Sequence, residues 1–174
     1  MPVKAIVCVD KNWGIGYNGE LLFNIPEDMK FFKEKTINNT VILGRKTYES
    51  IGKILPKREN IIITSSINNS REKIDNTSFF STADFVDGYI VGCTKFNPKK
   101  IFYVIGGESI YKRYIDIYDE IFVTIVDTEK KSDRHFINLY ESSNNYKLDE
   151  IIKNGVTKDG ISYKITRWIP QSTR

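Results

Sequence analysis

Histidine and cysteine are scarce in this chain of 174 residues, which contains one histidine and two cysteines. Cys8 and Cys93 are far apart and lack the paired spacing of zinc ligands or of a disulfide framework. The only histidine, His135, has no second histidine and no cysteine near it in the sequence. We therefore expect no metal site, and a surface or supporting role for His135.

Long apolar runs and a strong excess of one charge are also missing. No run approaches the roughly 18 apolar residues of a membrane span. The apolar run at the N-terminus is too short for a signal peptide. The 26 basic and 22 acidic residues give 26 − 22 = +4, and the excess is spread along the chain. We expect a soluble, cytoplasmic protein that binds neither membrane nor nucleic acid.

Strand patterns alternate with helix patterns through most of the chain. Runs of β-branched residues predict buried strands, and those at 5–9, 40–43, 61–66, 101–105 and 119–127 are the clearest. The alternation at 163–168 follows turn-rich sequence and predicts a terminal antiparallel hairpin, whereas 68–78 is polar and predicts a surface loop. The chain therefore predicts a single α/β domain over 1–174 with a mostly parallel sheet.

An acidic residue in a helical stretch near the N-terminus is the main candidate for chemistry. Pro26 fits the first position of a helix, and Asp28 then shares a face with Phe31 and Phe32. A buried carboxylate is unfavourable without donors, and a flat heterocycle with two adjacent N–H groups would satisfy both of its oxygens. Alternatively, Asp28 merely follows Glu27 in an acidic first turn, which the helix dipole favours.

The glycine-rich segment 14–19 matches the dinucleotide fingerprint G-x-G-x-x-G literally. That fingerprint requires its third glycine to open a helix, but here the helix pattern begins only at Pro26. We therefore interpret the segment as a glycine-hinged loop beside the acid-bearing helix and as a candidate lid.

Two other glycine motifs each follow a predicted strand and lead into a helix. Gly44-Arg45-Lys46-Thr47 is typical of an anion site, although a solvated Arg-Lys pair remains an alternative. The turn 106–111 begins with two glycines, which would let the backbone approach a pyrophosphate, or it is an ordinary tight turn. Thr124 interrupts an apolar run, so its hydroxyl either bonds locally or faces a site.

Together these segments resemble the dihydrofolate reductase family over nearly the whole chain. The resemblance is carried in order by residues 14–16, 23–36, 41–52, 55–62, 105–111 and 133–136. It implies a central eight-stranded sheet with about four flanking helices and a monomer. It also implies NADPH-dependent reduction of 7,8-dihydrofolate to 5,6,7,8-tetrahydrofolate, by hydride transfer to pterin C6 with protonation at N5.

The resemblance also implies a set of site residues. The catalytic group is Asp28, Phe23, Thr124 and Tyr111. The substrate-binding group is Ile6, Val7, Met29, Phe32, Lys33, Ile51, Lys53, Leu55, Arg58 and Ile105, with Arg58 holding the glutamate carboxylate. The cofactor-binding group is Cys8, Ile15, Gly16, Gly44, Arg45, Lys46, Thr47, Thr64, Ser65, Gly106, Gly107, Glu108, Ser109, Ile110 and Tyr111.

Within that cofactor group, the resemblance places Arg45, Lys46, Thr64 and Ser65 around the adenosine 2′-phosphate and implies a cis peptide between Gly106 and Gly107.

Three departures from the family pattern stand out. Leu22-Phe23 replaces Pro-Trp and so removes an indole N–H, Lys57 replaces a glycine, and Ile137 replaces a proline. Two other functions stay open: a pyrimidine reductase of riboflavin synthesis on the same fold, and a non-catalytic NADPH-binding module.

Overall fold

The computed structural model describes residues 2–141 and 143–172. Its strands are β1 (Val3–Val9), β2 (Gly14–Tyr17), β3 (Glu20–Leu21), β4 (Thr40–Gly44), β5 (Glu59–Ile63), β6 (Arg71–Lys73), β7 (Phe79–Ser81), β8 (Phe102–Gly106), β9 (Glu120–Val126), β10 (Arg134–His135), β11 (Tyr146–Val156) and β12 (Ser162–Pro170). Its helices are α1 (Pro26–Thr36), α2 (Arg45–Ile51), α3 (Ala83–Phe96) and α4 (Glu108–Arg113). Within these residues, no helix is long and apolar enough to cross a membrane.

Within the described residues the main sheet has nine strands, in the order β11-β12-β9-β1-β8-β4-β5-β7-β6. The six strands from β9 to β7 are parallel, and β11, β12 and β6 run antiparallel to their neighbours. The predicted α/β class, the four helices and the C-terminal hairpin are confirmed. The sheet has one strand more than the predicted eight, because β6 lies in the predicted loop 68–78. Its residues are polar and exposed, as suits an edge strand.

Side chains of β1 divide between the two faces of the sheet, because alternate residues of a strand point to opposite sides. Ala5 and Val7 pack into the larger core cluster, which contains the buried residues of α3 and α4. Ile6 belongs to a second cluster, against which Phe31 and Phe32 of α1 pack. The face of β1 that carries Ile6 and Cys8 is therefore the face covered by α1.

The predicted glycine-hinged loop contains β2, which pairs with β10 and β3 in a small second sheet. The turn that leads into β2 is fixed by the carboxylate of Asp10, which is fully buried. Oδ1 of Asp10 accepts the backbone N–H groups of Asn12 and Gly14, each at 2.9 Å, and Oδ2 accepts that of Lys130 at 2.9 Å. The segment is thus held by backbone pairing and by one carboxylate.

Candidate active site

Asp28 lies in the first turn of α1, which begins at Pro26 as the sequence predicts. Its Oδ1 accepts a 2.6 Å hydrogen bond from the Thr124 hydroxyl, and the Cys8 thiol lies near enough for Asp28 and Cys8 to affect the pKa of each other. Cys8 and Thr124 lie opposite each other on the neighbouring parallel strands β1 and β9. The first turn of α1 is thus joined to the middle of the sheet.

The surroundings of Asp28 disfavour the ionised form of its carboxyl group. Burial raises the pKa of Asp28, and the hydrogen bond from Thr124 together with the nearby Cys8 thiol offsets only part of that rise. Burial, together with the charge of Asp28, places the pKa of the Cys8 thiol well above its usual value. The hydroxyl and the thiol near Asp28 are therefore uncharged, so the carboxylate can accept N–H donors from a ligand.

The side chains predicted to line a substrate are only partly brought together. Ile6, Phe32, Leu55 and Ile105 pack in one apolar cluster on the face covered by α1. Val7 points to the opposite face, so its side chain lies apart from them. The remaining predicted lining residues are exposed, and they are Met29, Lys33, Ile51 and Lys53.

Arg58 is buried, and two of its guanidinium nitrogens are held within the protein. Nε donates to the Pro56 carbonyl at 2.9 Å, and Nη1 donates to Oγ1 of Thr36 at 3.0 Å. Thr36 in turn donates to the Phe32 carbonyl at 2.8 Å. Thr36 was not among the predicted site residues, because a threonine at a helix end carries no sequence signal for such a role. Lys57 adopts φ 58°, a left-handed conformation that suits the glycine it replaces.

The predicted cofactor motifs 44–47 and 106–111 meet at one edge of the sheet, where β4 and β8 end side by side. The Gly106–Gly107 peptide is cis, as expected. A Cβ on Gly107 would lie 3.2 Å from Oγ1 of Thr47, and one on Gly44 would lie 3.2 Å from Cγ1 of Ile110. Glycine at 44 and 107 therefore allows the turns 44–47 and 106–111 to pack closely against each other at this glycine junction.

The predicted 2′-phosphate residues leave the sheet at the same edge. Gly44 pairs with Ile63 in the parallel β4–β5 ladder, so Arg45 and Thr64 follow neighbouring strand ends. Nε of Arg45 lies 3.0 Å from Oε1 of Glu49, and Oγ1 of Thr64 accepts the N–H of Ser66 at 3.1 Å. Arg45, Lys46 and Ser65 are exposed, so their side chains are accessible to an anion.

Tyr111 links α4 to β1 from within the core. Its hydroxyl donates to the Ile6 carbonyl at 2.8 Å, and its ring packs edge-on against Phe136, with centroids 5.0 Å apart. Ile15 and Ile110 belong to the same buried cluster, whereas Ser109 is exposed. Gly16 lies in β2 opposite Arg134 of β10.

Glu108 was predicted as a cofactor residue, but its side chain forms its contacts away from the glycine junction. Its Oε1 accepts the N–H of His135 at 3.1 Å and lies 3.7 Å from Nζ of Lys112. With Tyr111 and Ile137, these residues line a cavity of about 280 Å³ between α4 and β10. His135 is exposed, in agreement with the expected surface position.

Phe23 replaces the tryptophan of the family pattern, and it packs against the buried cluster that contains Ile25. The ammonium of Lys130 lies 4.7 Å from the centre of the Phe23 ring and donates to the Leu22 carbonyl at 2.7 Å. A phenyl ring has no N–H group, so Phe23 closes this side of the site with apolar surface only.

Comparison with known proteins agrees with this geometry. A family model described as dihydrofolate reductase matches residues 2–168. The dihydrofolate reductase of Bacillus subtilis strain 168 is 35% identical over 146 residues, which cover 84% of this chain and 80% of the relative. That of Buchnera aphidicola subsp. Baizongia pistaciae is 32% identical over 136 residues, covering 78% and 77%.

A solved structure is similar over almost the whole length of both chains. It is the dihydrofolate reductase from Enterococcus faecalis complexed with NADP(H) and RAB-propyl, with a TM-score of 0.79 and 26% sequence identity. The match covers 98% of this chain and 96% of the other. The chain belongs to the dihydrofolate reductase family of NADPH-dependent oxidoreductases.

Proposed function

We propose that this protein reduces 7,8-dihydrofolate to 5,6,7,8-tetrahydrofolate with NADPH. The observation that carries the proposal is the part-buried carboxylate of Asp28, for which the hydroxyl of Thr124 is the only hydrogen-bond donor among the described residues. An ionised carboxylate has about four acceptor positions. The 2-amino group and N3–H of a pterin are two adjacent donors, so they would occupy two of the positions that remain.

Two further features support a folate as the substrate. The cluster of Ile6, Phe32, Leu55 and Ile105 gives a pterin ring an apolar wall beside the carboxylate, with Met29 and Ile51 toward the aminobenzoyl group. Arg58 is fixed through Nε and one N–H of Nη1, which leaves Nη2 and the second N–H of Nη1 to pair with the glutamate carboxylate. Lys33 and Lys53 are exposed cations that would add positive charge where the glutamate reaches solvent.

The glycine junction would bind NADPH on the same side of the sheet as the proposed folate site. Gly44, Thr47, Gly106 and Gly107 lie at the adjacent ends of β4 and β8, where their backbone would contact the pyrophosphate. Arg45, Lys46, Thr64 and Ser65 would surround the 2′-phosphate, and this charge pairing would favour NADPH over NADH. Cys8, Ile15, Ile110 and Tyr111 would lie toward the nicotinamide, with Gly16, Glu108 and Ser109 at the edges of the groove.

The residues of this chain would act by binding and orientation. When bound, NADPH supplies the hydride that C6 of the pterin accepts. Asp28 holds the far edge of the pterin and favours its protonation without reaching N5, so water delivers the proton to that atom. Phe23 and the apolar cluster exclude other water, and Thr124 and Tyr111 fix Asp28 and β1 in place.

The test is to follow NADPH loss with dihydrofolate, using the parent protein and an Asp28→Asn variant. We expect turnover by the parent, and turnover lower by orders of magnitude in the variant at neutral pH with NADPH affinity nearly unchanged. NADPH binding without turnover would indicate a non-catalytic module. Turnover of a ribosylaminopyrimidine alone would indicate the riboflavin-pathway reductase, and equal rates for parent and variant would exclude the role of Asp28.

A further inference from the structure

We propose that Lys130 is a positioning residue for Phe23, which closes one side of the proposed folate site. The ammonium group of Lys130 contacts the Leu22 carbonyl and the Phe23 ring and so fixes the chain between β3 and α1. The inference deepens the proposed function and rests on it for the role of Phe23. Lys130 was not among the site residues expected from the sequence.

The chain between β3 and α1 has no regular structure of its own. β3 ends at Leu21, α1 begins at Pro26, and residues 22–25 belong to neither a strand nor a helix. Pro26 has no backbone N–H, and Leu22 has no ring that would restrict its backbone dihedrals. The conformation of this segment therefore depends on its contacts with other parts of the chain.

Lys130 makes two contacts with this segment. Its Nζ donates a 2.7 Å hydrogen bond to the Leu22 carbonyl and lies over the Phe23 ring, 4.7 Å from the ring centroid. A hydrogen bond from a charged donor is stronger than one between neutral groups, and the quadrupole of an aromatic ring attracts a cation over its face. One side chain thus sets the position of the backbone at residue 22 and of the ring at residue 23.

The backbone of Lys130 is itself held against the rest of the fold. Its N–H donates to Oδ2 of the fully buried Asp10 at 2.9 Å. Oδ1 of the same carboxylate accepts the N–H of Gly14, where the glycine-hinged loop begins. Close by, the N–H of Lys11 donates to the Thr128 carbonyl at 3.0 Å. Asp10 and Lys130 therefore join the chain before the glycine-hinged loop to the chain after it.

The Phe23 ring packs on the face of the sheet that carries Thr124. Phe23 lies against a buried cluster that contains Val126. Thr124 and Val126 are two residues apart on β9, so their side chains point to the same face. On that face the Thr124 hydroxyl donates to Asp28. A displacement of Phe23 would therefore admit water to the face on which Asp28 is proposed to bind the pterin.

Three variants separate this role from a general effect of charge. Lys130→Met removes the ammonium group but keeps most of the apolar stem, and Lys130→Arg keeps a cation that donates hydrogen bonds. Both keep the backbone N–H that Asp10 accepts. Lys131→Met is the matched control, because the exposed Lys131 makes the same kind of contact elsewhere, with its ammonium 4.9 Å from the centroid of the Tyr17 ring.

Fluorine NMR of the ligand-free protein tests the contact itself. 4-Fluorophenylalanine is placed at position 23, and its resonance is compared between the parent and the variants. Lys130→Met should shift the resonance, because the cation no longer lies over the ring. Lys131→Met should leave it in place. An unchanged resonance in Lys130→Met, or the same shift in both methionine variants, would overturn the inference.

Steady-state kinetics with dihydrofolate and NADPH test the effect on the reaction. Lys130→Met should lower kcat by roughly 3- to 10-fold and change KM for either ligand little, because the groups that bind the ligands stay in place. Lys130→Arg should restore most of kcat, and Lys131→Met should have the kcat of the parent. If Lys130 acted only by attracting anionic ligands, both methionine variants would raise KM at unchanged kcat, and this result would overturn the inference.

A double-mutant cycle shows whether the effect passes through Phe23. Phe23→Leu removes the ring, so Lys130→Met should lower kcat less in that background than in the parent. Equal losses in the two backgrounds would overturn the inference. If the parent does not reduce dihydrofolate, the proposed function fails, and the fluorine resonance alone decides whether Lys130 positions Phe23. If the parent is active and Lys130→Met has the same kcat, the inference alone fails.

Discussion

Nη1 of Arg58 donates a 3.0 Å hydrogen bond to Oγ1 of Thr36, which joins the turn before β5 to the last residue of α1. Thr36 is itself fixed by its hydrogen bond to the Phe32 carbonyl. The guanidinium plane is therefore set by the same helix that carries Asp28. Two groups proposed to hold opposite ends of one substrate are thus positioned by one rigid element.

Arg58→Lys should raise KM for dihydrofolate by roughly 10- to 100-fold and change kcat by only a few-fold. The reason is that an ammonium cannot form the planar paired contact with a carboxylate, which contributes about 1.5–3 kcal/mol. Steady-state kinetics with dihydrofolate, and with a dihydropterin that lacks the glutamate, measure the effect. Thr36→Val should raise KM in the same direction but less. An equal loss with the substrate that lacks glutamate would contradict the role of Arg58.

Replacing Arg45 and Lys46 together by alanine should narrow the preference for NADPH over NADH by roughly 10- to 100-fold. Both side chains are exposed at the strand edge where β4 and β5 end, and their charges are the ones proposed to face the 2′-phosphate. Apparent affinities for the two cofactors give the ratio. Lys30→Ala with Lys95→Ala removes two charges elsewhere and should leave the ratio unchanged. An unchanged ratio in the first variant would place the 2′-phosphate site elsewhere.

The sequence predicted those parts of the fold that local patterns determine. Pro26 marks the start of α1, and β-branched runs mark the central parallel strands. The short strands were missed, because β6 has the polar composition of a loop and β10 has only two residues. β10 also pairs with β2, which is distant in the chain, and a local pattern cannot specify this.

Residue patterns alone predicted the types of residue in the site but not the contacts between them, whereas the family resemblance also implied that Thr124 bonds with Asp28. Asp28 and Thr124 were candidates from the sequence, yet 96 positions separate them and only the sheet order makes them neighbours. The resemblance placed Cys8 in the cofactor-binding group, and no local pattern indicated that the charge of Asp28 acts on the pKa of its thiol. Thr36 and Asp10 were missed because each acts through backbone or guanidinium hydrogen bonds formed only after folding.

Asp28→Asn should make the folded protein more stable at pH 7. The folded-state pKa of Asp28 is raised, so the folded protein holds this proton more tightly than the unfolded chain does. Ionisation therefore lowers stability, increasingly as the pH rises from the unfolded pKa of about 3.9 through the folded value. The asparagine variant avoids this loss, so its advantage should vanish near pH 4.

Thermal unfolding of parent and variant between pH 4 and pH 7 measures the difference, at about 2–4 °C for each kcal/mol. Glu34→Gln changes an exposed acid on the same helix and should show little difference at any pH. A stability advantage for Asp28→Asn that is independent of pH would mean that ionisation of Asp28 is not its cause.

Asp10→Asn should destabilise the protein by about 2–3 kcal/mol. The carboxylate accepts three backbone N–H groups, from Asn12 and Gly14 at Oδ1 and from Lys130 at Oδ2, and it is fully buried. An amide has one oxygen, so either orientation of asparagine turns its NH₂ group toward a buried N–H donor. Urea denaturation at neutral pH measures the loss. Asp133→Asn is the matched control, because its Oδ2 accepts the N–H of Asn18 at 3.1 Å in an exposed position. It should lose less than about 1 kcal/mol, and equal losses would show that burial of the Asp10 carboxylate does not determine the effect.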